Sequence, residues 1–297
     1  MSVFHWPSIL ASLTRTYPFF SGCAALANHR LMEILSPGSS EECWARSPGR
    51  ALRVSLNDYV GRSVFFFGDL DPKITWFLKR LLKPGDRVLD IGANIGLVTL
   101  WMSKLVGPQG TVHSFEPNPV LCHMLQATLA HNGITNVKLH SIALGASGGQ
   151  MELHVPIGNF GAASLIRRTG QTAQVHTVPV MKLDEIILQE SEESGIAFIK
   201  LDVEGFEYEV LKGARRVLQE LRPDAILFET NDKDNLSPVM QLLHDCGYDF
   251  LMIPRCLIWM RTKVVDLQHP EAILSHDLIA APMGEPFARM RRRLRAA

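Results

Sequence analysis

The 297-residue chain lacks the features that mark several specialised classes of protein. Its 30 basic and 30 acidic residues cancel, so the composition does not indicate nucleic acid or an acidic membrane as an obligatory partner. Its five cysteines are scattered, without a CxxC pair or the spacing of zinc ligands, which argues against a disulfide framework and a zinc finger. No stretch reaches the roughly 18 consecutive apolar residues of a membrane-spanning helix, so no such helix is predicted.

The N-terminal segment does not read as a secretory signal, and the C-terminal segment is basic. Residues 1–20 are moderately apolar, but Pro7, Arg15 and Pro18 interrupt the clean apolar run that a secretory signal needs, so we expect a docking helix and a cytoplasmic protein. Residues 283–297 form a basic tail, with five arginines and no acid in its RMRRRLR segment. Such a run could contact phosphates, but a solvated helix end is the more common finding.

The region from residue 83 onward alternates short apolar runs with helix-length segments. This alternation is typical of βαβ units, so we predict an α/β fold with a doubly wound, mostly parallel sheet over residues 81–282. The predicted strands are residues 87–91, 111–115, 137–142, 196–201, 225–228 and 250–253, with one or two late strands after them.

Two regions depart from this alternation. Residues 1–80 are predicted to form an N-terminal helical cap that also holds a short strand pair, 51–58 and 63–68. Later in the chain, residues 150–156 and 174–181 alternate apolar and polar side chains and are joined by a Gly-rich segment. They predict an inserted β-hairpin, which could serve as a lid.

The segment VLDIGANIGLVTL, residues 88–100, reads as a strand, a glycine-rich turn and the start of a helix. Open α/β sheets bind ligands at this position, beyond the carboxyl ends of the strands. The loop is DxGxNxG and not the GxGxxG of dinucleotide sites, and Asp90 would repel a pyrophosphate but attract an ammonium group. S-adenosylmethionine has an ammonium group, a sulfonium and no phosphate. We therefore predict that Gly92 and Gly96 let the backbone approach this donor closely.

An acid at the end of the next predicted strand supports a nucleoside ligand. Glu116 follows Gly96 by twenty residues, where nucleotide-binding βαβ units place the acid that binds the ribose hydroxyls. A glycine loop alone often marks only a tight turn. Together with Asp90 and Glu116, it indicates a nucleoside site.

Three motifs together resemble the FkbM family of S-adenosylmethionine-dependent methyltransferases: VLDIGANIG at 88–96, FEPNP at 115–119 and IKLDVEGFEYEVLKGA at 199–214. The resemblance implies a class I methyltransferase (Rossmann-like) fold. It also implies O-methylation of a hydroxyl on a sugar or a secondary metabolite. The segment GDLDP at 68–72 departs from the family, which often has an aromatic residue and a glutamate there.

The resemblance assigns roles residue by residue. The residues that it implies to bind the donor are Asp90, Gly92, Asn94, Gly96, Glu116, Asn118 and Asp202. The glycine-loop residues would line the methionine end, Glu116 would bind the ribose, and Asp202 would lie beside the transferred methyl group. Asn159 and Ser164 are similar to residues of a family loop near the substrate.

Four carboxylates, at Asp202, Glu204, Glu207 and Glu209, follow the strand 196–201 within eight residues. Glu209 fits the exposed first turn of a helix, where the helix dipole favours acids. Glu204 and Glu207 remain divided between the site and the scaffold, since Glu204 could cap this helix. Asp202 ends a buried strand, so we expect it to have a hydrogen-bonding or charged partner.

Two functional interpretations of Asp202 stay open. In the first, Asp202 or Glu204 is the catalytic general base or orients the substrate hydroxyl. In the second, Asp202 joins Glu229 and Asn231 as oxygen ligands of a magnesium ion. Magnesium is possible under this scheme, but we do not expect it.

The leading hypothesis is an S-adenosylmethionine-dependent O-methyltransferase that acts on a small-molecule or glycan hydroxyl, as in natural product biosynthesis. An N- or C-methyltransferase of a small molecule is the alternative within enzymes. A protein that binds the donor without turnover, as a partner in an assembly, is the alternative outside enzymes. A nicotinamide-dependent oxidoreductase is disfavoured by Asp90 and by the missing GxGxxG.

Overall fold

The structure is a computed structural model. It describes residues 11, 14–15, 19, 22–30, 32, 42–47, 50–166, 172–190, 195–229, 233–254, 260–267, 273, 275 and 277–295, with the backbone alone at 233–235. Asn231, a predicted ligand of the alternative magnesium site, lies outside these residues. Of the helices that are described, none is long and apolar enough to cross a membrane.

The described elements alternate between strands and helices over most of the chain. The strands are β1 (Glu42–Ser47), β2 (Arg50–Ser55), β3 (Arg87–Ile91), β4 (Thr111–Phe115), β5 (Val137–His140), β6 (Ala143–Leu144), β7 (Gly149–Pro156), β8 (Ala173–Met181), β9 (Ile196–Leu201), β10 (Ile226–Glu229), β11 (Tyr248–Met252), β12 (Lys263–Val264) and β13 (Asp277–Pro282). The helices are α1 (Cys23–Ala27), α2 (Tyr59–Phe67), α3 (Pro72–Leu81), α4 (Leu97–Val106), α5 (Pro119–His131), α6 (Leu183–Ile187), α7 (Glu207–Lys212), α8 (Lys233–Asp245) and α9 (Glu285–Arg295). A 3₁₀ turn forms at Phe160–Ala162 and a π turn at Val217–Leu221.

An eight-stranded sheet, in the order β12-β11-β13-β10-β9-β3-β4-β5, forms the centre of the protein. The neighbours from β5 to β10 are parallel, and β13 is antiparallel to both β10 and β11. From β3 the chain winds outward through β4 and β5, and then returns to the other side of β3 with β9 and β10. The chain therefore changes winding direction between the neighbouring strands β3 and β9. Open α/β sheets bind ligands beyond the strand ends at such a topological switch point. This confirms the predicted doubly wound, class I methyltransferase fold.

Both faces of the sheet are covered by helices. On one face, Leu89 and Ile199 pack with residues of α6, α7 and α8. On the other face, Val88 and Phe198 pack with residues of α3, α4 and α9. All five residues of β3 are buried, because a parallel sheet with helices on both faces leaves no side of its strands in water.

The cap packs directly on the sheet domain. The β1–β2 hairpin confirms one predicted strand, but its partner is Glu42–Ser47, and the strand predicted at 63–68 is wrong. That segment belongs to α2, whose Val64 and Phe66 are fully buried among residues of α4 and α5. An Asp58 cap and burial on most sides outweigh the β propensity of valine and phenylalanine here. The predicted boundary after residue 80 falls within α3, and the division into domains stays a prediction.

The inserted hairpin has the predicted form. Strands β7 and β8 pair antiparallel along their length, and β6 extends them to a small separate sheet. At the other end of the chain, α9 is amphipathic and buries Phe287, Met290 and Leu294. The described part of the basic tail is therefore a packed helix whose arginines lie mainly on its outer side.

Candidate active site

A cavity of about 270 Å³ lies at the carboxyl ends of β4, β3, β9 and β10; we call it the main cavity. Its wall includes the loop after β3, parts of α2 and α3 from the cap, and residues 159–163 from the inserted hairpin. The carboxylates that line it are Asp69, Asp71, Glu116, Asp202, Glu204 and Glu229. Lys200 supplies the sole basic side chain among the described lining residues. Such a cavity favours a ligand with positive charge.

The glycine loop packs closely against Asp202 and Leu125. Gly92 has φ +82°, and a Cβ built on it would lie 1.9 Å from the carbonyl oxygen of Asp202. Gly96 has φ +91°, and its Cβ would lie 2.3 Å from Leu125. Asn94 also adopts a left-handed conformation, with φ +53°. These close approaches explain why glycine is needed, whereas the predicted close approach to a donor stays a prediction.

Glu116 lies where the sequence places the ribose-binding acid, at the end of β4. Its Oε2 accepts from the Asn94 N–H at 2.7 Å, and its Oε1 accepts from the Asn118 N–H at 2.9 Å. Burial raises the pKa of this carboxyl to about 7, although both backbone N–H groups oppose the rise. The Asn118 side chain caps α5 by accepting from the Val120 N–H at 3.0 Å. Glu116 lines the main cavity. Asn118 lies outside the lining and holds the Glu116 carboxylate through its backbone N–H.

Asp90 lies beneath the loop and does not line the cavity. It is fully buried, and its Oδ2 accepts from the Thr99 hydroxyl at 2.6 Å. Its Oδ1 lies 3.8 Å from Nζ of Lys200, the residue opposite it in the β3–β9 register. Burial raises the pKa of Asp90, and Lys200 and Thr99 counteract this. The predicted contact with the methionine end stays a prediction, because the side chain lies between the sheet and α4, beside Thr99 and Lys200.

Lys200 connects the buried acid to the cavity and was not among the residues predicted from the sequence. Its ammonium group donates to the Gly92 carbonyl at 2.8 Å and lies 3.2 Å from Oδ2 of Asp202. Burial disfavours the charge, but Asp202 and Asp90 outweigh it and raise the pKa of Lys200. The period of two along a strand carries the signal, since it places Lys200 on the same face as Asp202.

Asp202 has the charged partner that was expected of it. Its side chain is 34% exposed, so it can reach a ligand while Lys200 holds it. Glu204 lines the cavity too, with φ +52° at the turn before α7. Glu207 is 1% exposed, outside the cavity lining, and its Oε1 accepts from the Gly205 N–H at 3.1 Å. Glu207 is therefore scaffold. Glu209 lies on the first turn of α7, as predicted, and pairs there with Lys212 of the last turn.

A second cluster of acids lies beside Asp202, and the sequence predicted only Glu229 of its members. Glu229 ends β10, opposite Asp277 of β13, and Asp71 approaches from the cap. Lys73 forms ion pairs with Asp71 and Asp277. Burial and the neighbouring acids Asp202, Asp277 and Asp71 raise the pKa of Glu229 to about 8. The atypical GDLDP segment thus brings Asp69 and Asp71 to the cavity.

The alternative magnesium site gains no support. In the part of the chain that the structure describes, no group of three or more histidine, cysteine, aspartate or glutamate residues is arranged to hold a metal ion. Asp202 and Glu229 both line the cavity, but the ammonium group of Lys200 lies beside Asp202.

The hairpin loop covers one side of the main cavity. The Phe160 N–H donates to Asp58 at 2.7 Å, which fixes the loop to the cap. The Ser164 hydroxyl donates to the carbonyl of Glu204 at 2.8 Å, which fixes it to the turn before α7. Asn159 lines the cavity, whereas Ser164 lies outside its lining and contacts Glu204; that either residue lies near a substrate stays a prediction.

The residues present fit S-adenosylmethionine. Glu116 offers two carboxylate oxygens to a pair of hydroxyls, and the excess of acids suits a ligand with a sulfonium and an ammonium group. The sequence-predicted residues that line the cavity are Gly92, Asn94, Glu116, Asn159, Asp202, Glu204 and Glu229. Those that lie outside its lining are Asp90, Gly96, Asn118 and Ser164.

Comparison with known proteins identifies the family. Methyltransferase sdnD of Sordaria araneosa is 30% identical over 191 residues, which are 54% of this chain and 73% of that protein. The 31-O-demethyl-FK506 methyltransferase FkbM of Streptomyces tacrolimicus is 28% identical over 195 residues, 56% of this chain and 74% of that protein. A solved S-adenosylmethionine-dependent O-methyltransferase of Thermotoga maritima covers 86% of this chain and 82% of its own, with 14% identity and a TM-score of 0.42.

The Methyltransferase FkbM domain matches residues 90–250. This range, more than half of the chain, contains the glycine loop, Glu116, Asp202 and Glu229. The chain belongs to the FkbM family of S-adenosylmethionine-dependent methyltransferases, as its motifs predicted.

Proposed function

We propose that the protein transfers a methyl group to a hydroxyl of a sugar, a glycan or a secondary metabolite. The observation that carries this proposal is the placement of Asp202 and Glu229 side by side in the cavity that also holds Glu116. A hydroxyl must lose its proton as the new bond forms, and a positioned carboxylate can take it. The name of one relative, 31-O-demethyl-FK506 methyltransferase, also describes an O-demethyl substrate.

The donor residues are assigned by position. Gly92, Asn94 and Glu116 face the cavity, and we propose that they contact S-adenosylmethionine, with Glu116 on the ribose. Asp90 and Gly96 hold the loop in shape from behind. Asn118 holds Glu116 through its N–H, at 2.9 Å from Oε1.

When bound, S-adenosylmethionine supplies a methyl group activated by its sulfonium. The chain itself supplies a base and a positioning group. Glu229, whose pKa is raised to about 8, is matched to accept a proton near neutral pH. Asp202, fixed by Lys200, orients the acceptor hydroxyl, and Glu204 borders the same space. This assignment extends the sequence prediction, which named Asp202 and Glu204 as the catalytic candidates.

The first test is donor binding. Calorimetry of the purified protein with S-adenosylmethionine should give a measurable Kd, and Glu116→Ala should weaken it. The matched control is Glu209→Gln, an acid on the surface of α7 that pairs with Lys212 and should leave the Kd unchanged. No binding, or equal binding by Glu116→Ala, would contradict the proposal.

The second test locates the new methyl group. The protein is incubated with methyl-¹³C donor and a panel of sugars, glycans and polyhydroxylated natural products, and the product is analysed by NMR. A signal on oxygen supports the proposal, whereas a signal on nitrogen or carbon supports the alternative enzyme. Donor binding without transfer to any acceptor supports a non-catalytic role in an assembly.

We also propose that residues 1–80, 81–282 and 283–297 act as cap, methyltransferase domain and basic tail, because cap residues complete the wall of the cavity. Four described cysteines are free, which supports a cytoplasmic location. Cell fractionation tests the location directly.

A further inference from the structure

The helical layer formed by α3, α4 and α9 is strongly basic. These helices cover one face of the sheet and pack together through a shared apolar cluster. Within their bounds lie nine lysine and arginine residues and one acid, Glu285. On the opposite face of the sheet, α6, α7 and α8 hold six acids and two lysines. A chain with a formal net charge of zero thus separates its charges across the sheet.

The cations at the surface of this layer form one group. On α9 the apolar residues are buried against the layer, while Arg289, Arg292 and Arg295 are exposed. The last turn of α3 and the loop after it add two exposed lysines, Lys79 and Lys83. We call these five residues the basic face. They come from segments that are far apart in the sequence, so the fold and not a local run of charge assembles the face.

The two parts of the basic face are neighbours. The guanidinium of Arg293 donates to the carbonyl of Leu81 at 3.4 Å, which joins α9 to the end of α3. Burial raises the pKa of Asp224, and Arg289, Lys83 and Arg293 oppose this rise. Cations of both segments therefore lie around one acid.

The acids near the basic face are fewer than its cations. Glu285 pairs with Arg292 at 2.6 Å, but the two side chains are 62% and 64% exposed, so water screens the pair. Asp86 adds to the rise in the pKa of Asp224, which places these two acids close together. The face therefore keeps an excess of positive charge.

The basic layer lacks the centre of a protein-binding patch. The large apolar residues that are exposed in the described part of the chain lie on α1, β1, α5, β8 and β12 and in the loop between β7 and β8. None of them belongs to α3, α4 or α9. Because specific protein interfaces have an apolar core inside a polar rim, an acidic protein is not the partner that this layer fits best.

Nucleic acid also fits the layer poorly. A DNA duplex is read by an element that enters a groove, whereas α9 lies along α3 and the sheet and does not protrude. Single strands stack their bases on open aromatic rings, but the guanidinium of Arg80 covers the ring of Trp76 at 3.7 Å. An extended anionic surface remains as the partner that matches exposed cations on two adjacent helices.

We propose that the basic face docks the protein on a lipid bilayer that contains acidic phospholipids. Charge complementarity carries the inference, since each lysine or arginine near such a bilayer strengthens binding about five-fold. The contact is electrostatic and peripheral, because the apolar side of α9 faces the protein and not the lipid. The inference is independent of the proposed function, since no residue of the basic face lines the main cavity.

Vesicle sedimentation tests the inference. The purified protein is mixed with vesicles of phosphatidylcholine alone, or with about one third phosphatidylserine added. The wild type should bind the phosphatidylserine vesicles and not the neutral ones, and a rise in salt should weaken this binding. The variant Arg289→Gln/Arg292→Gln/Arg295→Gln should bind about 100-fold more weakly. The variant Arg289→Lys/Arg292→Lys/Arg295→Lys keeps the three charges and should bind as the wild type does.

A matched control removes the same charge from the other side of the sheet. The variant Lys182→Gln/Lys212→Gln/Arg216→Gln replaces cations whose side chains are 40%, 40% and 63% exposed, and it should leave vesicle binding unchanged. A second variant of the basic face leaves α9 intact, which guards against a folding defect in that helix. Lys79→Gln/Lys83→Gln should weaken vesicle binding about 10- to 30-fold.

Several outcomes would overturn the inference. They are equal binding to both kinds of vesicle, no binding to either, wild-type binding by the arginine-to-glutamine variant, and equal losses in that variant and the control. Tighter binding to a DNA duplex than to the phosphatidylserine vesicles, at the same phosphate concentration, would assign the face to nucleic acid and also overturn the inference.

Discussion

Replacing Lys200 with methionine tests the charge network that supports the site. The ammonium group donates to the Gly92 carbonyl at 2.8 Å and neutralises Asp90, which is fully buried. Methionine keeps most of the side-chain length but leaves Asp90 with the Thr99 hydroxyl as its remaining partner at 2.6 Å. An uncompensated buried charge costs about 3–5 kcal/mol, so we expect the free energy of unfolding to fall by this amount at pH 8.

The size of this loss should depend on pH. Burial raises the pKa of Asp90, and Lys200 opposes the rise. Without the ammonium group, the pKa of Asp90 rises further in the folded variant, so Asp90 becomes protonated at acidic pH. Protonation removes the buried charge. The deficit of Lys200→Met relative to the wild type should therefore shrink as the pH falls from 8 to 5.

Urea unfolding at pH 8 and pH 5 measures both effects. The double variant Lys200→Met/Asp90→Asn removes the charge pair together and should recover much of the loss at pH 8. The control is Lys212→Met, which breaks a surface pair with Glu209 and should cost about 0–1 kcal/mol. A loss below about 1 kcal/mol for Lys200→Met at pH 8, or an equal loss at both pH values, would refute the reasoning.

Four further outcomes are expected. Gly92→Ala should cost about 3 kcal/mol or more in urea unfolding, whereas Gly133→Ala, also at positive φ but with nothing within 4 Å of the new Cβ, should cost about 1 kcal/mol; equal costs would contradict the clash with Asp202. Donor affinity should rise as the pH increases through about 7, because the pKa of Glu116 is about 7 and its ionised form accepts from hydroxyls; Glu116→Gln should abolish this dependence in calorimetry. The kcat/KM for an accepted substrate should rise with pH until about 8, and Glu229→Gln should lower it by about 10²–10⁴-fold; an unchanged pH profile in that variant would exclude Glu229 as the base. Burial lowers the pKa of His113 from 6.5 to about 4, so stability is fully present above pH 6.5 and is lost as the pH falls towards 4, by on the order of 3 kcal/mol; His113→Gln should flatten this part of the urea-unfolding profile.

The parts of the fold that follow local rules could be predicted from the sequence. The apolar runs of β3, β4 and β9 are buried on both faces, and their bounds agree with the prediction. The glycine loop and Glu116 follow from their spacing in a βαβ unit. The strand predicted at 63–68 is wrong because valine and phenylalanine favour a strand locally. The packing of α2 on α4 and α5 decides the conformation instead.

The parts of the site that depend on distant segments were harder to predict. Asp90 was placed correctly along the chain, but its side chain lies under α4, beside Thr99 and Lys200, and does not line the cavity. Asp69 and Asp71 reach the cavity because the cap folds back on the sheet, and no local pattern encodes that contact. Lys200 was predictable in principle from strand alternation, yet its role depends on which strand lies beside β9.

Asp58 holds two segments of the site's wall with one carboxylate. One carboxylate oxygen accepts from the Phe160 N–H, while the other caps α2 through the Gly61 N–H at 2.9 Å. When Phe160 moves away, one charge-assisted hydrogen bond of about 1.5–3 kcal/mol is lost, but the helix keeps its cap. Opening the loop would cost more than this one bond, because the Ser164 hydroxyl also holds the loop to the carbonyl of Glu204 and Phe160 packs against two apolar clusters. The single carboxylate of Asp58 therefore couples the hairpin loop to the first turn of α2, so that the roof of the site and the cap are held as one unit.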